Sequence, residues 1–211
     1  MTEQGGETTG IIDYGAGNLL SVRNALKSLG IPTRIVSDPA GFAGLQRLVF
    51  PGVGAFGDSL RHIDGQGLRQ PLLDWLRADK PFLGICIGYQ VLFESSEEAP
   101  EVEGLGFLKG KVVRFQSDGQ LKIPHMGWNR VDFSDPGDPL WRGMPDEAYF
   151  YFVHSYYPAP EDKSLISATA DYGSPFAAGI RHGNICAVQF HPERSQDLGL
   201  KFLKNFVEST A

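Results

Sequence analysis

The sequence predicts an α/β fold: a mostly parallel, twisted sheet flanked by helices, with antiparallel additions in the C-terminal half. Three observations predict it. In the first half, short apolar runs alternate with segments of helical period, the spacing of strand–helix–strand units. In the second half, strand-like runs follow one another with no helical segment between them. The composition, 42% hydrophobic and 21% charged over 211 residues, is that of a globular chain able to bury a core without staples.

Gly10-Ile11-Ile12-Asp13-Tyr14 is the first apolar run, stopped by Gly15-Ala16-Gly17-Asn18. Leu19, Val22, Leu26 and Leu29 then share one helical face until Gly30-Ile31-Pro32 ends it. Thr33 to Val36 and Gln46 to Phe50 read as strands, the second running into Pro51-Gly52-Val53-Gly54. A helix follows over Leu68 to Ala78, with Leu72, Trp75 and Leu76 on one face. Pro81 to Ile85 is the next strand, and Gln90 to Ser95 reads as the helix after it. Further strands are predicted over Lys111 to Phe115, Arg130 to Phe133, Ala148 to Tyr157, Ser164 to Ala170, Phe176 to Arg181 and Ile185 to Phe190. His182-Gly183-Asn184 reads as a tight hairpin loop, and Gln196 to Val207 as the final helix. Residues 1–9 read as a frayed polar tail and 10–211 as one domain, without repeat, low-complexity tract or linker.

The net charge of −6 argues against a nucleic-acid binder, which carries a basic face. No run approaches the roughly 18 apolar residues of a membrane-spanning helix. The first residues lack the apolar core of a secretory signal, so a cytoplasmic location is expected. The two cysteines, Cys86 and Cys186, are then expected to be free thiols. No Cys or His pair has zinc-ligand spacing and no phosphate-binding loop is present, so neither a metal nor a cofactor is expected.

Gly84-Ile85-Cys86-Ile87-Gly88 stands where an apolar strand gives way to a helix, the design of a nucleophile elbow. The central residue takes a strained conformation, and the residues two before and two after must be small. Here both are glycine. Open α/β sheets bind ligands at this edge, and the positive end of the following helix favours a thiolate. A base is supplied by Gln189-Phe190-His191-Pro192-Glu193. His191 and Glu193 are two apart, so in extended chain both project to one side, and Pro192 biases His191 toward that conformation. A carboxylate on one imidazole nitrogen, with the other facing a thiol, makes a Cys-His-Glu acyl-transfer constellation. His62, His125, His154 and His182 have no such acid nearby in sequence.

With these residues in hand the chain resembles the class I, triad-type glutamine amidotransferases. More narrowly it is similar to the glutaminase subunits of imidazole glycerol phosphate synthases. The narrower likeness is carried by Ile12-Asp13-Tyr14-Gly15-Ala16-Gly17-Asn18, Pro51 to Asp58, Pro124-His125-Met126-Gly127-Trp128-Asn129 and Tyr151 to Tyr157. Arg194 and Tyr89 depart from it, standing where lysine and methionine are common.

The resemblance implies a flavodoxin-like glutamine amidotransferase fold and a role for each residue. Cys86 attacks glutamine, His191 moves the protons and Glu193 orients His191. Backbone amides of Ile87 and of the Val53–Gly54 loop hold the oxyanion. Gly52, Gln90, Ser155 and Tyr156 contribute to the glutamine pocket, Gln90 at the α-amino and carboxylate end. Asn18, Trp128 and Arg194 are candidates for a partner face. The implied partner is the cyclase subunit of that synthase, a (β/α)8 barrel fed with ammonia in a heterodimer.

Other readings stay open. They are the glutaminase of a purine, pyridoxal phosphate, anthranilate or folate synthase, a catalytically silent binding subunit, and a γ-glutamyl hydrolase or cysteine peptidase.

Overall fold

The computed structural model describes residues 8–15, 18–116, 119 and 121–210. Residues 1–7 of the expected tail, and Ala16 and Gly17 of the first motif, lie outside them. The elements, in chain order, are β1 (Thr9–Ile12), α1 (Leu19–Ser28), β2 (Thr33–Val36), β3 (Arg47–Phe50), α2 (Phe56–Gly65), α3 (Arg69–Arg77), β4 (Phe82–Ile85) and α4 (Ile87–Gln90). The second half contains β5 (Ser95–Ser96), β6 (Gly110–Arg114), β7 (His125–Phe133), β8 (Ala148–His154), β9 (Tyr156–Pro160), β10 (Ile166–Asp171), β11 (Pro175–His182), β12 (Ile185–Val188) and α5 (Gln196–Ser209).

Among the described residues, nine strands form one sheet in the order β2-β1-β3-β4-β12-β11-β10-β7-β8. The first five are parallel to one another; from β12 to β11 onward every pairing is antiparallel. The predicted architecture is the observed one. The hairpin between β11 and β12 turns through Gly183 and Asn184, as expected. A separate three-stranded sheet, β5-β6-β9, stands beside it.

Strand residues alternate between two cores. Ile12, Leu48, Phe50, Phe82, Ile185 and Ala187 pack with Leu60 and Ile63 of α2 and Leu72, Trp75 and Leu76 of α3. Their neighbours Ile11, Val49, Leu83, Cys186 and Val188 pack with Val22 and Leu26 of α1 and Phe202, Leu203 and Phe206 of α5. The parallel strands thus bury both faces, which is why they read as unbroken apolar runs. Each fully buried Val, Leu, Ile or Phe among them contributes about 1.5–3 kcal/mol of hydrophobic stabilisation.

Three expectations need correction. The helix expected over Gln90 to Ser95 is the single turn α4, which begins three residues earlier; β5 occupies its expected end. The strand expected over Ala148 to Tyr157 is two strands, β8 and β9, which part at Ser155 and join different sheets. The helix α2 was not expected. Phe56, Leu60 and Ile63 give it a buried face, but glycines at 57 and 65 weaken its propensity. Gly57 is needed there: a Cβ on it would sit 2.9 Å from that of Ala99.

Candidate active site

The site lies at the C-terminal edge of the central strands. β4 ends at Ile85, and Cys86 turns the chain at φ 50°, ψ −102°, a left-handed conformation unusual for a residue with a side chain. Its amide still donates to Val188 O at 2.8 Å, holding the turn to β12. The two glycines are required by contact. A Cβ on Gly84 would lie 2.4 Å from Gly88 O, and one on Gly88 would lie 2.3 Å from Phe50 O. Ile87 is the first residue of α4, so its amide has no acceptor within the helix.

The loop after β3 presses against this elbow. A Cβ on Gly52 would be 2.0 Å from Ile85 O and 2.4 Å from Ile87 N, so only glycine lets the two backbones meet. Gly54 takes φ +130°. Tyr14, buried at the end of β1, donates its hydroxyl to Val53 O at 3.0 Å and so fixes the loop. Burial chiefly, reinforced by the charge at Cys86, pushes the Tyr14 hydroxyl well above its ordinary value, so it remains a neutral donor.

His191 and Glu193 meet, but by a different geometry from the one expected. β12 stops at Val188, and Pro192–Arg194 form a 3-10 turn rather than extended chain. The turn brings Glu193 Oε1 to 2.9 Å from His191 Nδ1, both side chains buried. Ser195 holds the turn: its hydroxyl donates to His191 O at 2.7 Å and accepts from Tyr151 N at 3.0 Å. Gly199 of α5 packs against it so closely that a Cβ would lie 1.9 Å from Pro192 O.

His191 Nε2 is buried without a hydrogen bond of ordinary geometry and faces Cys86. Burial opposes a charge on this ring. The charge and hydrogen bonding of Cys86 oppose burial, Glu193 adds to them, and together they raise the His191 pKa to about 10. The imidazolium is therefore the favoured form of His191 at neutral pH.

A cleft of about 410 Å³ opens over the pair, lined among others by Val53, Gly54, Ile87, Gln90, Ser155 and Tyr156. Gln90 is buried, and its side-chain nitrogen donates to both Tyr156 O at 3.0 Å and Gln189 Oε1 at 3.1 Å. Both amide hydrogens are therefore engaged, leaving Oε1 as an acceptor. Asn18, expected at a partner face, reaches Glu193 Oε1 at 3.5 Å. Trp128 is 47% exposed on β7, near Met126 at 62%. Arg194 borders the cleft, with its guanidinium 4.2 Å from the centre of the Tyr151 ring, which lies edge-on to Trp128.

Sequence reasoning missed several contributors. Glu98 lines the cleft while its carboxylate accepts from Phe56 N at 2.7 Å, capping α2 from 42 residues away. His154 also lines the cleft. Gln189, Tyr14 and Ser195 were visible only as letters of motifs. Their contacts are tertiary, so no local spacing gave them a role. Among the described residues no group of three or more His, Cys, Asp or Glu is placed to hold a metal ion.

An elbow cysteine facing a buried His–Glu pair, at the strand-end edge of a parallel sheet, defines a triad-type amide hydrolase. The family described as Glutamine amidotransferase class-I matches residues 10–209, and the chain belongs to it. Among curated relatives, the imidazole glycerol phosphate synthase subunit HisH of Desulfitobacterium hafniense (strain DSM 10664 / DCB-2) is 50% identical, over 93% of this chain and 92% of its own. That of Aromatoleum aromaticum is 52% identical, covering 93% and 96%. Among solved structures, a glutamine amidotransferase superposes with a TM-score of 0.75 at 21% identity, covering 96% of this chain and 98% of that one. PurLQS from Thermotoga maritima gives 0.76 at 19%, covering 98% and 100%. These last two show the shared fold.

Proposed function

We propose that this chain is the glutaminase subunit of an imidazole glycerol phosphate synthase, working through one glutamine amidotransferase domain over residues 10–211. The observation that carries the chemistry is the Cys86 elbow facing His191, with Glu193 at 2.9 Å behind it.

The substrate enters the cleft with its α-ammonium toward the acceptors, Gln90 Oε1 and the Glu98 carboxylate. Ser155 and Tyr156 form the adjoining wall. The Cys86 thiolate attacks the side-chain amide carbon, and the oxyanion develops toward the amides of Ile87 and the Gly52–Gly54 loop. His191, as imidazolium, gives its proton to the amide nitrogen; the C–N bond breaks, leaving ammonia and a thioester. Neutral His191 then takes a proton from water as the oxygen attacks the thioester carbon. The C–S bond breaks, glutamate leaves, and the thiolate–imidazolium pair is restored.

Ammonia made here needs an acceptor enzyme. The relatives are named as subunits, and the exposed Met126 and Trp128, with Tyr151 and Arg194 beside the cleft, form an apolar and cationic face suited to a partner. The partner is the cyclase subunit, in a heterodimer, and the location is the cytoplasm. No helix among the described residues is long and apolar enough to cross a membrane.

The test is Cys86→Ala in the complex with the cyclase. Glutamine-dependent synthesis is expected to disappear, while synthesis from added ammonium salt stays within about twofold of the wild type. Glutamine-dependent turnover that survives the substitution would remove Cys86 from the mechanism. Mixing with synthase partners from other pathways checks the pathway, since only the cognate one raises turnover.

A further inference from the structure

Gln189 follows the last residue of β12 and is completely buried. A buried primary amide must find partners for two donor hydrogens and an oxygen, or its desolvation goes uncompensated. Gln189 Nε2 donates to Cys86 Sγ at 3.4 Å, and Gln189 Oε1 accepts from Gln90 Nε2 at 3.1 Å. A neutral thiol accepts hydrogen bonds weakly, whereas a thiolate accepts them strongly, so this donor favours the anion.

The sense of the amide follows from its neighbours. Tyr156 O can only accept, so the group of Gln90 beside it at 3.0 Å is the NH2. The same NH2 faces Gln189, which must therefore offer its oxygen there and its nitrogen to the sulfur. The second lone pair of Tyr156 O takes His154 Nδ1–H at 2.9 Å. His154 Nε2 is then the bare nitrogen and accepts from His125 Nδ1–H at 3.0 Å. His125 Nε2, bare in turn, faces Asn129 Nδ2 at 3.3 Å, whose other hydrogen goes to Asp171 O at 2.7 Å. Donor directions are consistent along the whole chain, and both imidazoles are neutral. Desolvation pushes them the same way, His125 to about 4 and His154 to about 3.

We infer that Gln189 is a further catalytic residue, whose side-chain N–H holds Cys86 as the thiolate, and that the His125–His154 pair is the positioning element that fixes this amide through Tyr156 O and Gln90. The inference rests on Cys86 being the nucleophile. The other titratable or charged groups around the sulfur are His191 with Glu193 behind it, Tyr14 from the end of β1, and His154, Glu98 and Arg194 along the cleft.

The experiment is alkylation of the isolated protein by iodoacetamide from pH 5 to 9, with the site read by mass spectrometry. Gln189→Glu keeps an acceptor for Gln90 but turns a carboxylate toward the sulfur. Alkylation of Cys86 at pH 7 is expected to fall at least about tenfold, with the profile displaced to higher pH. Gln189→Leu, which removes the donor without adding charge, should fall between wild type and Gln189→Glu. It also serves if the glutamate variant does not fold. In the complex, glutaminase kcat of Gln189→Glu drops while KM stays within about twofold, because the glutamate still accepts from Gln90 and position 189 does not line the cleft. His125→Phe should displace the profile in the same direction by about threefold in rate, and His125→Gln should restore part of it. Variants with a wild-type near-UV circular dichroism spectrum and an unchanged alkylation profile would overturn the inference. Failure of the Cys86 reading is seen separately, as glutamine turnover surviving in Cys86→Ala.

Discussion

Tyr89, three residues after Cys86, carries its hydroxyl into the interior, where no described group receives it. The ring packs edge-on to Phe93 and is fully buried, so the position asks for bulk and gives nothing to the oxygen. Burial pushes this hydroxyl far above its ordinary pKa, so it remains a neutral donor with nothing to donate to. Tyr89→Phe is expected to stabilise the protein by about 1 kcal/mol, read as a higher denaturant midpoint with unchanged slope. A lower midpoint would mean that the hydroxyl has a partner after all. Cys186 shows the opposite fate for a polar atom. Buried in β12 among apolar neighbours, its thiol is pushed up to about 12, chiefly by desolvation, and stays an inert core residue. At this scale Cys86, His191 and Glu193 were legible, because a Gly-bounded turn and an i, i+2 pair are local signals. Glu98 and Gln189 were not, because each acquires its meaning from a partner dozens of residues away.

Among the elements, the short α4 and the loop after β3 matter most. The loop touches the elbow through Gly52, and a methyl there would meet Ile85 O and Ile87 N at 2.0 and 2.4 Å. Gly52→Ala must push the loop off the elbow and spoil the paired amides. Glutamine-dependent turnover is expected to fall roughly 10²-fold, with ammonia-dependent synthesis by the complex retained. Turnover near the wild-type level would show that the loop does not hold the oxyanion. The parallel strands and the helices α1, α3 and α5 could be read from their periodicity. The helix α2 could not, since its capping carboxylate comes from Glu98 and its glycines mask the pattern. The break at Ser155 was equally hidden. Ala148 to Tyr157 is uniformly strand-like, and only the second sheet, assembled from β5, β6 and β9, decides where it parts.

For the whole molecule, the buried histidines set opposite limits on stability with pH. His154 has its folded pKa depressed to about 3 from an ordinary 6.5, so between these values the unfolded chain binds the extra proton. Stability is therefore lost as pH falls from about 6.5 toward 3, by about 2 kcal/mol at pH 5. His191 has its folded pKa raised to about 10. Its contribution is fully present below about pH 6.5 and disappears as pH rises through 10. Thermal unfolding should show a maximum near pH 6.5 with losses on both sides, and His154→Gln should flatten the acid limb. An acid limb identical in that variant would assign the loss to other groups. The sheet order has a consequence in time. β12 stands at the centre of the sheet beside β4, yet Gln189 is 103 residues after Cys86. On the ribosome, a chain made as far as Cys86 already has β3 to pair with β4, but lacks both His191 and the second flanking strand β12. The elbow and the His191–Glu193 pair are thus brought together only once β12 has been made and paired with β4.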